Sequence, residues 1–328
     1  MITPLKTTPV FKQYLWGGSA LKDKYNKDIK DNFAAESWEI SCHDDGLSLI
    51  AEGEFKGKTL KEVVMADKKN MLGDENMEQF PLLVTFLDAN DNLSVQVHPD
   101  NDYAFANENG SLGKTEMWYI IDAKPGAKLI YGLKDGVTKE QFEKAIEEGT
   151  LEELLNYVPA KKGDAFFIPA TTLHAICSGL LIAEIQQSSN TTYRVYDYNR
   201  TDKDGNKREL HTKKAVDVTS LQDVEGMEKY VPIRYTEGSA DAYIISSCEY
   251  FTVIKYNLDT DGDARVSPYA PRFEMLMCTE GEAVISYNGG QMKVNAGDSI
   301  FMPAALGDYS FEGKGEIIRS FVPCPGEI

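Results

Sequence analysis

Positive charge, histidine, paired cysteines and long apolar runs are all scarce in this 328-residue chain, and each scarcity excludes something. Lys and Arg number 34 against 52 Asp and Glu, a formal charge of −18. Nucleic acid and anionic membrane surfaces both require a basic footprint, so neither is an expected partner. An anionic small substrate is compatible with this charge only if a local basic pocket receives it. No stretch approaches the ~20 apolar residues of a membrane span, and the opening segment, MITPLKTTPVFKQYLWGG, has no apolar core of signal-peptide length. The five cysteines, Cys42, Cys177, Cys248, Cys278 and Cys324, form no CxxC pair. They read as small buried hydrophobes in a reducing compartment, and a cytoplasmic protein is the expectation. No glycine-rich nucleotide loop is present.

What is abundant is β patterning. LSVQVHP, EMWYIID, AKLIYGL, AFFIP, LLIAEIQQ, TYRVYDY, AYIISS, YFTVIKYN, EAVISYN, QMKVN, SIFMPA and IIRSFV are rich in β-branched and aromatic residues, and turn formers punctuate them. The spacing predicts a mainly β sandwich or jelly roll. Helical spacing of apolar residues predicts two inserted helical segments, at about 59–73 and 138–158. An internal repeat is also visible: GDAFFIPATTLH (163–174) matches GDSIFMPAALGD (297–308) at an offset of 134. Glu116-Met117 echoes Glu274-Met275 at an offset of 158. The difference, 158 − 134 = 24 residues, fits a helical excursion placed in the first copy only. Two units are therefore expected: 1–230, with the insertions, and 231–328. His174 in the first copy aligns with Asp308 in the second, and no histidine follows His211. Only the first unit can hold an imidazole-bound metal.

The four histidines are His43, His98, His174 and His211. Strand alternation in LSVQVHP puts Ser94, Gln96 and His98 on one face, opposite Leu93, Val95 and Val97. Glu116 opens the next convincing strand, and His174 follows the turn after AFFIP. Two imidazoles, one carboxylate and one amide suit a divalent ion with open positions, zinc best, iron or manganese next. On spacing alone, Gln96 and His98 read equally as polar residues of an exposed strand face.

LSVQVHPD, GKTEMWYII, GDAFFIPATTLHAI and NTTYRVYDYNR, with YLWGG (14–18) and AESWEISCH (35–43), together resemble the type I mannose-6-phosphate isomerases, particularly their short bacterial form. The resemblance covers nearly the whole chain. It implies a pair of cupin-like jelly-roll β-barrels with one zinc ion per chain, held by Gln96, His98, Glu116 and His174. It also implies interconversion of mannose 6-phosphate and fructose 6-phosphate by proton transfer between C1 and C2 through a cis-enediol, in a monomer or homodimer. Arg194 matches the family's active-site arginine. Lys114 matches a lysine near the metal, where a cation should lower its pKa and fit it for proton exchange; a phosphate contact is its other role. Trp16 and Glu36 match substrate-pocket positions. His43 reads as structural, and His211 as solvated. Thr85 is a departure, because many relatives carry there a lysine associated with phosphate. A different metal-cupin sugar isomerase or oxygenase, and a non-catalytic sugar-binding cupin, are the competing readings.

Overall fold

Among the residues that the computed structural model describes, 2–30, 32–201, 204–222, 229–268 and 270–324, the strands form three antiparallel sheets. The chain is mainly β, and among the described residues no helix is long and apolar enough to cross a membrane. A six-stranded sheet has the spatial order Ala165–Ile168, Glu116–Ala123, Leu180–Gln187, Leu82–Ala89, Glu36–Ile40, Val10–Lys12. A five-stranded sheet has the order Tyr193–Tyr196, Val95–Val97, His174–Ile176, Lys128–Leu133, Leu155–Pro159. The third sheet holds the later strands, with Leu5–Thr8 added by pairing to Ser299–Met302 and Leu49–Ile50 by pairing to Leu5–Thr8.

The six-stranded sheet is buried on both faces, which is why its strands read as almost unbroken apolar runs. Met117, Tyr119 and Ile121 point outward and pack with Met275, Met277, Phe301 and Ile318 of the third sheet. Trp118 and Ile120 alternate inward and pack with Leu129, Tyr131 and Ile176 of the five-stranded sheet. The far face of that sheet, through Val95, Val97 and Ala175, is covered by Phe142 and Ala215 of the helices Lys139–Glu148 and Thr212–Val218. The layers are thus helices and three stacked sheets. Among the described residues the expected closed barrels are not found. The hydrogen-bond ladders of the first two sheets do not join, and side-chain packing holds these sheets face to face as an open sandwich.

The expected helix over 59–73 is two short ones, Leu60–Ala66 and Lys68–Leu72. Thr59 and Glu62 form a capping box at the first, and Gly73 ends the second in a left-handed conformation. The segment 138–158 departs further from expectation. Its helix stops at Glu148, where Gly149 adopts φ 71°, and Leu155–Pro159 is a strand paired with Lys128–Leu133. The apolar spacing misleads because Leu151 and Leu155 serve one core while Val158 serves another.

The repeat is present in the strand register. Ile168 pairs with Glu116, and Met302 pairs with Glu274, each just before its Pro-Ala turn. One detail of the alignment is corrected: Asp308 is exposed, and its neighbour Tyr309 fills the buried position beside Glu274. Glu274 is enclosed by cations. Arg319 donates to it from Nη2 and Nε at 2.5 and 2.8 Å, Arg272 from Nε at 3.1 Å, and Tyr309 from its hydroxyl at 2.6 Å. Burial alone would raise this carboxyl's pKa, but Arg319 above all holds it below its ordinary value. Arg319→Met leaves that charge undercompensated, and a loss of about 3–5 kcal/mol in urea unfolding is expected. A loss of about 1 kcal/mol or less, as for a surface pair, would contradict this account.

Candidate functional site

Glu116 is the first residue of its strand and is 1% exposed, between the six- and five-stranded sheets. His98 Nε2 lies 3.3 Å from one of its oxygens and His174 Nε2 lies 3.7 Å from the other. Candidate ligand atoms of these three residues all lie within 4.8 Å of one another. Both imidazoles are oriented from behind. His98 Nδ1 donates to the Thr191 carbonyl and His174 Nδ1 to the Thr172 carbonyl, each at 2.8 Å. A carbonyl only accepts, so the proton resides on Nδ1 and the Nε2 lone pairs turn toward Glu116. Glu116 is ion-paired at one oxygen with Lys114 Nζ, at 2.5 Å, which also lies 3.5 Å from His98 Nε2, while its second oxygen and His174 Nε2 have no hydrogen-bond partner. Buried polar atoms left so are costly unless something compensates them, and a divalent cation at their common focus does.

Electrostatics agree with that geometry. Burial above all keeps both imidazoles neutral, with the charge of Lys114 acting in the same direction: His98 is pushed below its ordinary value, and His174 down to about 3. Burial opposes ionisation of Glu116, but the charge of Lys114, at 2.5 Å, outweighs it and holds the carboxyl well below its usual range. The Lys114 pKa is subject to two opposing influences. Burial lowers it, yet Glu116 and Glu184 together raise it above the ordinary value. Gln96 sits at the join of three strands, paired across the ladder with His174 on one side and Arg194 on the other.

A cavity of about 280 Å³ opens beside this group and is lined by Trp16, Glu36, Gln96, Lys114, Glu184 and Arg194, among others. Trp16 is also part of the core between the sheets, so it serves both packing and pocket wall. Glu36 accepts from Trp38 Nε1 at 2.7 Å, and burial raises its pKa. The Arg194 guanidinium is held by neutral oxygens, Ser94 Oγ at 3.3 Å and the Glu209 carbonyl at 2.9 Å. His211 fixes its backbone, accepting from the Arg194 N–H at Nδ1, and so is structural rather than merely solvated. His43 packs edge-on against Trp38 and accepts from the Asp45 N–H. A larger neighbouring cavity of about 400 Å³ contains none of the expected site residues.

Glu184 is one of the pocket residues that sequence reasoning missed. Its carboxyl accepts from Trp118 Nε1 at 2.8 Å and from Thr85 Oγ1 at 3.1 Å. Burial, and then the charge of Glu116, raise its pKa to about 8. Thr85 is 1% exposed and bonded to this carboxyl, so it does not face the pocket mouth. The available signal was a lone acid in an otherwise apolar strand, LLIAEIQQ.

Fold and site define a mainly β protein with a cupin domain and a buried His–Glu–His group able to hold a metal. Two family models match: phosphomannose isomerase type I, catalytic domain, over residues 5–124, and mannose-6-phosphate isomerase, cupin domain, over residues 241–322. The chain is 42% identical to the probable mannose-6-phosphate isomerase GmuF of Bacillus subtilis, over 98% of this chain and 99% of that one. It is similar to the crystal structure of the mannose 6-phosphate isomerase from Bacillus subtilis with a TM-score of 0.90 and 37% identity, covering 97% of this chain and 99% of that chain. A zinc-bound mannose 6-phosphate isomerase, only 17% identical, shares the fold with a TM-score of 0.81 over 98% of this chain and all of its own. The chain belongs to the type I phosphomannose isomerase family.

A pH test follows from Glu184. Its carboxyl, raised from 4.5 to about 8 in the fold, stabilises the fold below pH 4.5 and loses that contribution as pH rises through 8. Relative to the wild type, Glu184→Gln is expected to gain thermal stability progressively over that interval. A difference in Tm that stays constant with pH would contradict the assignment.

Proposed function

We propose that this protein is a zinc-dependent isomerase that interconverts mannose 6-phosphate and fructose 6-phosphate. The observation that carries the reading is the buried convergence of His98, Glu116 and His174, in which two imidazole Nε2 atoms face the carboxylate while Lys114 pairs with one of its oxygens and leaves the other without a hydrogen bond. Gln96, His98, Glu116 and His174 would hold one zinc ion per chain. These two imidazoles, carboxylate and amide match the nitrogen and oxygen donors such an ion takes. When bound, zinc supplies a Lewis acid that polarises the sugar oxygens.

The chain's own groups divide the remaining work. Glu184 lines the pocket with a pKa near neutrality, which suits a carboxyl that removes the proton from C2 and returns it to C1. One carboxyl on one face serves both carbons, and the enediol is cis when O1 and O2 are held on the same side of the C1–C2 bond. Lys114, beside Glu116 and charged, gives a proton to O1 and takes one from O2 as the double bond migrates from aldose to ketose. Arg194, a permanent cation, attracts the anionic substrate. Trp16 and Glu36 contact the sugar body. The finer architecture belongs to the same proposal: two jelly-roll β units, 1–230 with the metal and 231–328 without, the Leu5–Thr8 strand crossing to the second.

A coupled assay from fructose 6-phosphate tests this directly. Activity is expected to fall to background after chelation and to return with Zn²⁺. His98→Ala and Glu116→Ala are expected to lose bound metal and activity together. Full turnover in verified metal-free protein would overturn the reading. A second expectation separates Arg194 from the metal: Arg194→Ala should depress turnover with zinc content unchanged, and unaltered kinetics would remove it from the site.

A further inference from the structure

In a chain with a formal charge of −18, three guanidiniums gather around one carboxylate at the pocket. Asp197 accepts from Arg208 Nε and Nη2 at 2.7 and 2.5 Å, and from Arg200 Nη2 at 2.5 Å. Arg194 completes the group, and its guanidinium pKa is lowered by burial and then by the charge of Arg208, which places the two cations within electrostatic range. Among the described residues, Arg194 makes no ion pair with any carboxylate within 4.0 Å. Of the other two, Arg208 lines the cavity and Arg200 does not. Arg200 instead turns to the Asn92 carbonyl at 2.6 Å and to Asp91 at 3.6 Å.

The deeper cation is already committed, since Lys114 lies 2.5 Å from Glu116. Thr85 brings neither charge nor access. Two guanidiniums therefore remain to receive an anion in this cavity, one on the strand beside Gln96 and one on the following loop. Arg208 is also well prepared for the task. Asp197 grips its Nε and Nη2 edge, fixing the plane of the fork, while Nη1 makes no hydrogen bond among the described residues. A guanidinium held this way loses little side-chain freedom on binding and presents directed donors to phosphate oxygens.

We infer that Arg208, oriented by Asp197, is the second arm of a two-arginine phosphate clamp with Arg194 and sets the preference for phosphorylated over free sugars. This rests on the isomerase reading, and the test keeps the two apart. With zinc-loaded protein, Arg208→Gln is expected to raise KM for fructose 6-phosphate about tenfold or more, with kcat within about twofold, as for loss of one charge-assisted contact made equally in the ground and transition states. Inorganic phosphate, used as the probe, is expected to bind the variant correspondingly more weakly by calorimetry. Turnover of unphosphorylated mannose, where detectable, should not change. Arg200→Gln, outside the cavity, should leave KM near the wild-type value. Arg208→Lys, which keeps the charge but not the fork, should raise KM by a smaller factor, and it provides the readout if the Gln variant does not fold. Unchanged KM and unchanged phosphate affinity in Arg208→Gln, or in Arg208→Lys if Gln does not fold, would overturn the clamp with the isomerase reading intact. A wild type inactive on fructose 6-phosphate would overturn the isomerase reading, while the calorimetric comparison would still decide the clamp.

Discussion

A carboxylate buried between two sheets is expensive unless cations surround it, and the Glu116 carboxylate imposes that demand on its whole neighbourhood. Lys114 meets one side of it, two neutral imidazoles face it, and carbonyls of Thr191 and Thr172 fix those imidazoles from behind. The arrangement leaves lone pairs converging with too few protons among them. Such a focus is unfavourable without a cation and favourable with one. The fold keeps it because Trp118, Ile120 and the five-stranded sheet wall it from water on the core side.

The second copy of the repeat solves the same problem in another way. Lys114 and Glu116 correspond at an offset of 158 to Arg272 and Glu274. In the ladders, Glu184 pairs with Trp118 as Arg319 pairs with Leu276, which are again matched positions. One register position therefore carries an acid in the first unit and a guanidinium in the second. The guanidinium reaches Glu274 and closes the ion pair, aided by Tyr309, so this copy needs no exogenous cation. The acid in the first unit cannot do this. It leaves Glu116 open to a metal and places a second, weakly acidic carboxyl beside it. That difference in sign closes the Glu274 carboxylate with a guanidinium and leaves Glu116 facing two imidazoles.

Much of this was legible in the sequence, for definite reasons. The period-2 alternation of LSVQVHP places Gln96 toward the pocket and Val95 and Val97 in the core, because the strand is buried on one side. The Gly-Asp and Pro-Ala brackets mark the repeat because turn geometry restricts residue choice. Other features leave no such trace. Residues 155–158 read as helix because apolar spacing does not reveal which core a side chain enters. Glu184 looked like an ordinary acid because sequence does not show what a strand packs against. Arg208 lies in a loop without periodicity, where only the fold shows that it faces the cavity. Among the described residues the ladders do not close into the barrels that family resemblance implies, since resemblance transmits topology more readily than the closing of a ladder.

The central claim is that four side chains converge on one ion. Anomalous scattering at the zinc edge from crystals of the purified protein tests it most directly. The account requires a single strong peak about 2.0–2.2 Å from His98 Nε2, His174 Nε2 and a Glu116 oxygen, with the Gln96 amide oxygen beside it. A zinc-replete crystal whose peak lies elsewhere, or in which Glu116 is satisfied by Lys114 alone, would contradict it.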